Sequence, residues 1–287
     1  MPETWTILRV LTWTTERFTQ AGLPSPRLDA EVLLAHALAV ERIRLYMEHD
    51  KPLGSPELSR AREGVRRRLA GEPVAYITGT REFWSLALIV SRAVLVPRPE
   101  TELLVELAVE LARRREWRSG EPRIVDVGTG SGAIAVACGR ELPGATILGV
   151  DRDTAALEVA RANAARHGVS VALLEGDLLA SLPPDPRPDL VISNPPYVAS
   201  ADLARLAPEV RDWEPRQALD GGSDGLEVIR RLVPQAAARL APGGWLALEV
   251  GQGQASTVRE LLDESGLVEP ITRCDLAGVE RVVAARR

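Results

Sequence analysis

The segment Asn194-Pro195-Pro196-Tyr197 has the residue types that point most directly to chemistry. Two consecutive prolines fix the backbone and remove two N–H donors, so this turn presents carbonyl oxygens as acceptors. The asparagine side chain adds an acceptor, and the tyrosine offers a flat face for stacking. Such a surface suits a planar –NH2 group, because its two hydrogens need two acceptors. The alternative interpretation is a proline-rich surface turn.

A second candidate is the glycine-rich segment Gly128-Thr129-Gly130-Ser131-Gly132. It follows an apolar run and opens a helical pattern, which is the context that a nucleotide-binding loop requires. Glycines allow a positive φ and a close approach of the backbone to a ligand. The same segment, continued to Ala133, also satisfies the dinucleotide fingerprint. A nucleotide loop, a dinucleotide loop and a plain tight turn therefore stay open at this point.

Acidic residues follow the next two apolar runs. Asp151 ends the second of the predicted strands, where a carboxylate can accept hydrogen bonds from both hydroxyls of a ribose. Its charge opposes a 2′-phosphate, which disfavours NADP. Asp153 beside it is more simply a helix N-cap. Asp177 follows the third predicted strand and could meet an adenine edge, although an exposed loop carboxylate is an equal alternative.

The elements that must position these residues alternate between strands and helices after Pro122. The predicted strands are 124–127, 145–150, 170–174, 189–193, 244–250, 268–274 and 280–284, and the predicted helices are 132–142, 154–167, 224–240 and 254–265. This alternation predicts an α/β fold with a doubly wound, mostly parallel sheet that carries helices on both faces. Ligands in such sheets bind beyond the carboxyl ends of the strands, where all the candidate residues fall.

The N-terminal part has a different pattern. Helical spacing predicts helices from Asp29 and over 55–70, and further along the chain over 101–115. The extended runs 82–90 and 93–96 predict a β-hairpin. We therefore expect a helical substrate-docking domain over 1–73, a β-hairpin linker over 74–98 and a catalytic domain over 99–287. The arginine clusters 66–68 and 113–115 are interpreted as solvated helix ends.

Composition limits the remaining function classes. The 287 residues carry 35 basic and 40 acidic side chains, a net charge of −5, which argues against a protein that binds bulk nucleic acid by charge. The two cysteines, Cys138 and Cys274, are too few for a disulfide framework or a four-cysteine zinc site. No run of apolar residues is long enough to span a membrane, and the first nine residues lack an export pattern. We expect a cytoplasmic protein without a metal.

Together with their flanks, these motifs resemble the HemK/PrmC family of class I S-adenosylmethionine-dependent methyltransferases. The resemblance is carried by 81–86 (REFWSL), 96–102 (VPRPETE), 193–197 (SNPPY) and 248–254 (LEVGQGQ), and it extends along nearly the whole chain. It implies a Rossmann-like enzyme that methylates the side-chain nitrogen (N5) of the glutamine in the Gly-Gly-Gln motif of peptide chain release factors. S-adenosyl-L-methionine would be the cofactor, and S-adenosyl-L-homocysteine the product.

The resemblance also implies roles for single residues. Gly128 to Gly132 would hold the methionine part of the cofactor, Asp151 its ribose and Leu178 its adenine; Leu178 stands where some members have an aromatic residue, so apolar packing replaces stacking. Asn194, Pro195, Pro196 and Tyr197 would hold the substrate glutamine, with Asn194, Pro195 and Tyr197 as the catalytic group and Asn194 close to the cofactor as well. Arg98, Glu100 and Glu102 belong to the family signature without an assignable role.

Four functions are compatible with these motifs. A release factor glutamine methyltransferase is favoured. The alternatives are an adenine N6-methyltransferase acting on DNA or RNA, a silent cofactor-bound module that binds translation factors, and a dinucleotide-dependent oxidoreductase. The acidic pI of about 5.5 and the lack of an evident basic recognition domain disfavour a nucleic-acid enzyme. We expect a monomer whose partner is a release factor, with no direct DNA binding and no membrane partner.

Overall fold

Apolar side chains at helical spacing form the core of an N-terminal helical unit. The computed structural model describes residues 4–113 and 121–287. The helices of this unit are α1 (Ile7–Gln20), α2 (Pro26–Leu38), α3 (Arg42–Met47), α4 (Ser55–Leu69) and α5 (Val74–Thr78). Phe18, Leu34 and Leu45 are among the side chains that fill its core. The helical unit runs to Gly79 and also includes Ala207–Trp213, which return to it from later in the chain.

Arg68 corrects one expectation about this unit. The prediction of a solvated arginine cluster over 66–68 is wrong for Arg68, which is 3% exposed and pairs with Asp29 at 2.8 Å and Glu209 at 2.5 Å. Successive helical residues point in directions about 100° apart, so one arginine of three can turn inward. Two carboxylates offset the desolvation of its guanidinium. Arg66 is exposed and pairs with Glu63.

The β-hairpin lies earlier in the chain than the sequence suggests. Its strands are β1 (Thr80–Phe83) and β2 (Leu86–Ile89), which pair antiparallel. Trp84 and Ser85 have φ values of 52° and 55°, typical of a two-residue hairpin turn. The prediction that 82–90 is one strand pairing with 93–96 is therefore wrong, since the first run itself contains the turn. Glu102 supports this turn by accepting a hydrogen bond from the Trp84 N–H at 2.7 Å.

The predicted alternation of strands and helices is present in the remaining chain. Helix α6 (Glu102–Arg113) follows a 3-10 turn, Pro99–Thr101, and two residues of the predicted helix, 114 and 115, lie outside the described residues, as does that part of the arginine cluster 113–115. The later helices are α7 (Ala133–Glu141), α8 (Thr154–His167), α9 (Pro208–Arg211), α10 (Glu227–Arg239) and α11 (Ala255–Glu264). The later strands are β3 (Arg123–Val127), β4 (Thr146–Asp151), β5 (Val171–Glu175), β6 (Leu190–Ser193), β7 (Trp245–Glu249), β8 (Val268–Cys274) and β9 (Glu280–Arg286).

These later strands form one seven-stranded sheet in the order β5-β4-β3-β6-β7-β9-β8. The first five are parallel, whereas β9 is antiparallel to both of its neighbours. This confirms the predicted doubly wound, mostly parallel sheet. The strand order reverses between β3 and β6, and such a switch point is where α/β sheets bind ligands. The second unit, here called the sheet unit, comprises Thr80–Leu206 and Glu214–Arg287.

Two apolar layers cover the sheet. Side chains from the hairpin, α6 and α7 pack with one set of strand residues, and side chains from α10 and α11 pack with the alternate set. Ile124 belongs to the first layer and Val125 to the second, as the period of two in a strand requires. Every residue of β6 and of β7 is buried, which is typical of central strands covered on both faces. Within the described ranges, no helix is long and apolar enough to cross a membrane.

Candidate active site

A cavity of about 990 Å³ lies within the sheet unit, at the carboxyl ends of β3, β4 and β6. Val127 ends β3, Asp151 ends β4 and Asn194 directly follows β6, and all three line this cavity. Residues 215–218 and 220–223 line it as well. The strand ends that were expected to carry the candidate residues therefore meet at one cavity.

The glycine loop, residues 128–132, leads from β3 into α7 with three left-handed residues. Gly128, Gly130 and Gly132 have φ values of 71°, 54° and 77°, a region that other residues rarely adopt. A Cβ on Gly132 would lie 3.1 Å from the Cβ of Ala160, so this glycine permits close packing of α7 against α8. A Cβ on Gly128 would meet no atom within 4 Å, and Gly128 lines the cavity. Its backbone is accessible to a ligand.

Asp126, in β3, is hydrogen-bonded to the glycine loop and to the start of α7. Its Oδ2 accepts hydrogen bonds from the Thr129 hydroxyl at 2.7 Å and from the Ala135 N–H at 3.2 Å. Its Oδ1 has no partner among the described residues. Burial, slightly opposed by these two hydrogen bonds, raises the pKa of Asp126 to about 7. Asp126 itself does not line the cavity, although the next two residues, Val127 and Gly128, do.

Asp151 connects the end of β4 to the same loop. Its Oδ2 accepts from the Gly130 N–H at 2.9 Å, and its Oδ1 accepts from the Asp153 N–H at 3.0 Å. Asp153 in turn caps α8 by accepting from the Ala155 N–H at 2.9 Å. Each Asp151 oxygen keeps a further lone pair. Because Asp151 also lines the cavity, its carboxylate can accept hydroxyl groups of a ligand there.

Leu178 and Asp177 form part of the wall beyond β5. Both line the cavity, and Leu178 has a φ of 54°. Asp177 pairs with Arg231, which also lines the cavity. The carboxylate thus already has a cationic partner, whereas the leucine side chain offers apolar surface. This arrangement suits apolar packing of Leu178 against a flat ligand group.

Asn194 lines the cavity, and its side chain is linked through Thr101 to Glu249. Its Nδ2 donates to the Thr101 hydroxyl oxygen at 3.1 Å. The Thr101 hydroxyl donates to Oε2 of Glu249 at 2.6 Å. Glu249 ends β7 and is 1% exposed, and burial raises the pKa of its carboxyl. These three residues form a hydrogen-bonded chain from the core of the sheet to the cavity wall.

Tyr197 belongs to the same network. Its hydroxyl donates to Oε1 of Glu249 at 3.2 Å, and its carbonyl oxygen accepts from Gln254 Nε2 at 3.0 Å. Burial and the neighbouring carboxylate raise the pKa of the Tyr197 hydroxyl, so it stays protonated near neutral pH. Pro195 is buried beside it. The turn after β6 is therefore anchored to β7 by side-chain contacts.

The predicted site residues divide into two groups. The cavity is lined by Gly128, Thr129, Gly130, Ser131, Asp151, Leu178, Asn194 and Pro196. Gly132, Pro195 and Tyr197 do not belong to that lining, although each is next in sequence to a residue that does. Thr101 lines the cavity without having been singled out, although it lies in the VPRPETE signature. Glu249 lies in the LEVGQGQ motif, and a charged residue at the end of an apolar strand is the signal in the sequence that points to it.

Asn163, in α8, was missed altogether. It is fully buried, and its Oδ1 accepts from the Ile89 N–H at 2.6 Å. Its Nδ2 donates to the Ile89 carbonyl oxygen at 2.9 Å and to the Ser131 carbonyl oxygen at 2.8 Å. One side chain therefore joins strand β2 of the hairpin to the glycine loop. An asparagine within an alanine-rich helix gave little sign of this in the sequence.

Solved structures similar to this chain share its fold. A Thermus thermophilus 16S rRNA N2 G1207 methyltransferase in complex with AdoMet and guanosine has a TM-score of 0.51 at 20% identity, covering 72% of this chain and 49% of that one. The N-terminal domain of human METTL16 in complex with SAH has a TM-score of 0.53 at 17% identity, covering 77% of this chain and 82% of that one. These likenesses confirm the Rossmann-like methyltransferase fold.

Sequence comparison identifies the family. The model of the PrmC N-terminal domain matches residues 9–79, and that of the methyltransferase small domain matches residues 101–209. A release factor glutamine methyltransferase of Geobacter sulfurreducens is 46% identical over 99% of this chain and 98% of its own length. One of Bradyrhizobium diazoefficiens is 47% identical over 94% of this chain and 91% of its own. The chain belongs to the family of release factor glutamine methyltransferases, S-adenosylmethionine-dependent enzymes, as its motifs predicted.

Proposed function

We propose that this chain transfers a methyl group from S-adenosyl-L-methionine to the side-chain amide nitrogen, N5, of the glutamine in the Gly-Gly-Gln motif of peptide chain release factors. The observation that carries the proposal is that Asn194 and the glycine loop line the same cavity. Its volume of about 990 Å³ is at the upper end of the usual range for small-molecule sites, roughly 300–1,000 Å³. The names of the curated relatives support this substrate.

The residues of the cavity fit the cofactor. The accessible backbone of the glycine loop, residues 128–132, would hold its methionine part, and Asp126 fixes that loop through the Thr129 hydroxyl. Asp151 would accept the ribose hydroxyls, and Leu178 would pack near the adenine. When bound, S-adenosyl-L-methionine supplies an electrophilic methyl group on a positively charged sulfur.

Asn194 and Pro195 would prepare the substrate nitrogen. An amide nitrogen is a poor nucleophile, because its lone pair is delocalised into the carbonyl group. If Asn194 Oδ1 and the Pro195 carbonyl oxygen accept its two hydrogens, positive charge developing on the nitrogen is stabilised by fixed dipoles. The same two contacts orient the nitrogen toward the methyl donor, which lowers the entropic barrier. Tyr197, whose raised pKa keeps it protonated, would support the planar amide by stacking and not as a base.

The helical unit would receive the release factor. Helix α3 and the start of α2 expose Leu28, Ile43, Tyr46 and Met47, and Met47 is 66% exposed. Large apolar side chains exposed on neighbouring helices are compatible with a protein-binding site. We expect Ile43→Asp to raise the KM for an intact release factor and to leave the KM for a short Gly-Gly-Gln peptide unchanged. Equal KM values for wild type and variant with the intact factor would show that the release factor does not dock on this surface.

A monomeric state and a cytoplasmic location stay predictions.

The proposal is tested with labelled S-adenosyl-L-methionine and a purified release factor, followed by peptide mapping. Label on the glutamine of the Gly-Gly-Gln motif, absent when that glutamine is replaced, is the expected result. Asn194→Ala should abolish turnover and leave the cofactor Kd nearly unchanged. Gln20→Ala removes an exposed amide at the end of α1 and serves as the matched control with full activity.

Other outcomes select among the alternatives. Cofactor binding without label on the release factor would favour adenine in DNA or RNA, and a steep salt dependence with a gel shift would support that reaction. Cofactor and release factor binding without any methyl transfer would favour a silent module. Binding of NAD without binding of S-adenosyl-L-methionine would favour an oxidoreductase.

A further inference from the structure

We propose that Glu249 is a positioning residue that acts through the Thr101 hydroxyl and determines which end of the Asn194 amide faces the cavity. This inference rests on the proposed function, in which Asn194 accepts a hydrogen bond from the substrate amide. Glu249 itself does not line the cavity. Its side chain is 1% exposed at the end of β7, and both of its oxygens accept hydrogen bonds from hydroxyl groups. Burying a carboxylate is costly, so its presence there calls for a reason.

The Thr101 hydroxyl has a single proton, so it can donate only one hydrogen bond. Both oxygens of Glu249 accept hydrogen bonds from hydroxyl groups, as the oxygens of an ionised carboxylate do, so the Thr101 proton lies toward Glu249. The Oγ1–Oε2 distance of 2.6 Å is typical of a hydroxyl that donates to a charged oxygen. The oxygen of Thr101 then has only lone pairs left for its other neighbour, Asn194.

The Thr101 hydroxyl fixes the orientation of the Asn194 amide. Because Thr101 can only accept from this side, the Asn194 atom at 3.1 Å from it must be the donor Nδ2. The amide is planar, so fixing Nδ2 toward Thr101 leaves Oδ1 as the end of the amide that is available to a ligand in the cavity that Asn194 lines. A substrate –NH2 group needs an acceptor there. If the Asn194 amide were reversed, its Nδ2 group would point to the substrate, and two N–H donors would face the –NH2 group of the substrate, which is itself a donor.

A purely structural role for Glu249 makes a different prediction. Glu249 could simply tie the turn Pro99–Thr101 to the sheet, and its removal would then loosen the site as a whole. In that case the cofactor Kd and the free energy of unfolding would change together with the rate. If Glu249 acts through the proton of Thr101, the rate falls selectively, and the effects of changing Glu249 and Thr101 are not additive.

The kinetic test uses three variants and a matched control. Thr101→Val keeps the shape and removes the hydroxyl, and Glu249→Met removes the acceptor. Each should lower kcat roughly 10- to 100-fold, the range for a buried polar group that loses its partner, with the cofactor Kd within about twofold of wild type. Thr101→Ser restores the hydroxyl and should recover most of the rate. The matched control is Thr14→Val, which changes a buried threonine of the helical unit and should leave kcat and the cofactor Kd unchanged.

The double variant Thr101→Val/Glu249→Met tests whether Glu249 acts through the Thr101 hydroxyl, whereas the cofactor Kd and the free energy of unfolding of the single variants separate this role from a purely structural one. We expect its kcat to be no lower than that of the slower single variant, because both changes break the same chain of hydrogen bonds. Losses that multiply would mean that Glu249 acts independently of the Thr101 hydroxyl, and the proposal would be overturned. Full kcat in Thr101→Val would overturn it as well.

A spectroscopic readout separates this proposal from the proposed function. The chain has two asparagines, Asn163 and Asn194, so selective ¹⁵N-asparagine labelling gives two pairs of side-chain amide signals. In Thr101→Val and in Glu249→Met, the Asn194 pair should shift and exchange faster with solvent, while the Asn163 pair stays unchanged. Unchanged Asn194 signals in both variants would refute the orientation argument. This measurement needs no substrate, so it holds even if wild type fails to methylate a release factor.

Discussion

Replacing Asn163 by alanine tests whether the hairpin and the glycine loop depend on one buried side chain. The change removes three hydrogen bonds, two to the backbone of Ile89 and one to the Ser131 carbonyl oxygen. At a net contribution of about 0.5–1.5 kcal/mol for each hydrogen bond, the free energy of unfolding should fall by about 2–4 kcal/mol. The site is fully buried, so water cannot readily replace the lost partners.

The effect on the cofactor follows from the third hydrogen bond alone. If its loss weakens cofactor binding at the glycine loop, the proposed site of the methionine part, by about 1 kcal/mol, the Kd for S-adenosyl-L-methionine should rise about fivefold. Urea unfolding measures the first quantity, and titration calorimetry measures the second. Arg161→Ala, an exposed change on the same helix, is the control and should alter neither.

Two results would refute this reasoning in different ways. A free energy of unfolding equal to that of wild type would mean that Asn163 contributes nothing net to the fold. A loss of stability with an unchanged Kd would mean that the glycine loop keeps its conformation without the Ser131 contact. Only a change in both quantities supports a role for Asn163 in positioning the loop.

Three further changes test other parts of the site. Asp151→Ala should raise the cofactor Kd roughly 10- to 100-fold, as expected when hydrogen bonds to a charged group are lost, and an unchanged Kd in calorimetry would refute the ribose assignment. The raised pKa of Asp126 means that its ionisation destabilises the wild-type fold as the pH rises from 4 to 7. Asp126→Asn cannot ionise, so the cofactor-free variant should become increasingly stable relative to wild type over this range. Urea unfolding measures both stabilities, and parallel curves of stability against pH would contradict this. Gly132→Ala should cost about 1–3 kcal/mol of unfolding free energy, because its φ is positive and its Cβ would crowd Ala160, and a wild-type value would show that α7 shifts freely.

The sequence was most informative where residue pattern and backbone geometry coincide. The period of the apolar residues predicted the parallel sheet, and the strand ends then located Asp151 and Asn194 together. The hairpin was misplaced because Trp84 and Ser85 form a left-handed turn without glycine, asparagine or aspartate, the residues that usually mark one. Local patterns carry no information on such a turn when tertiary packing imposes it.

The supporting residues were hidden for a related reason. Thr101 and Glu249 are 148 positions apart and meet only through the folding of the sheet. Arg68 has the composition of a surface residue, and its burial depends on two carboxylates from distant segments. The residues that line the cavity stand in recognisable loops, whereas the residues that hydrogen-bond to them from the core are defined by contacts across the chain. A single sequence shows the first kind far better than the second.

The return of residues 207–213 to the helical unit makes the two units inseparable as stretches of chain. The polypeptide changes unit after Gly79, after Leu206 and again after Trp213. A fragment beginning at residue 80 would carry Glu209 without its partner Arg68, so limited proteolysis near that boundary should not release two autonomous halves. Recombination between relatives faces the same constraint. An N-terminal part can be exchanged only together with this distant seven-residue segment, and Arg68, Asp29 and Glu209 should be inherited as a set.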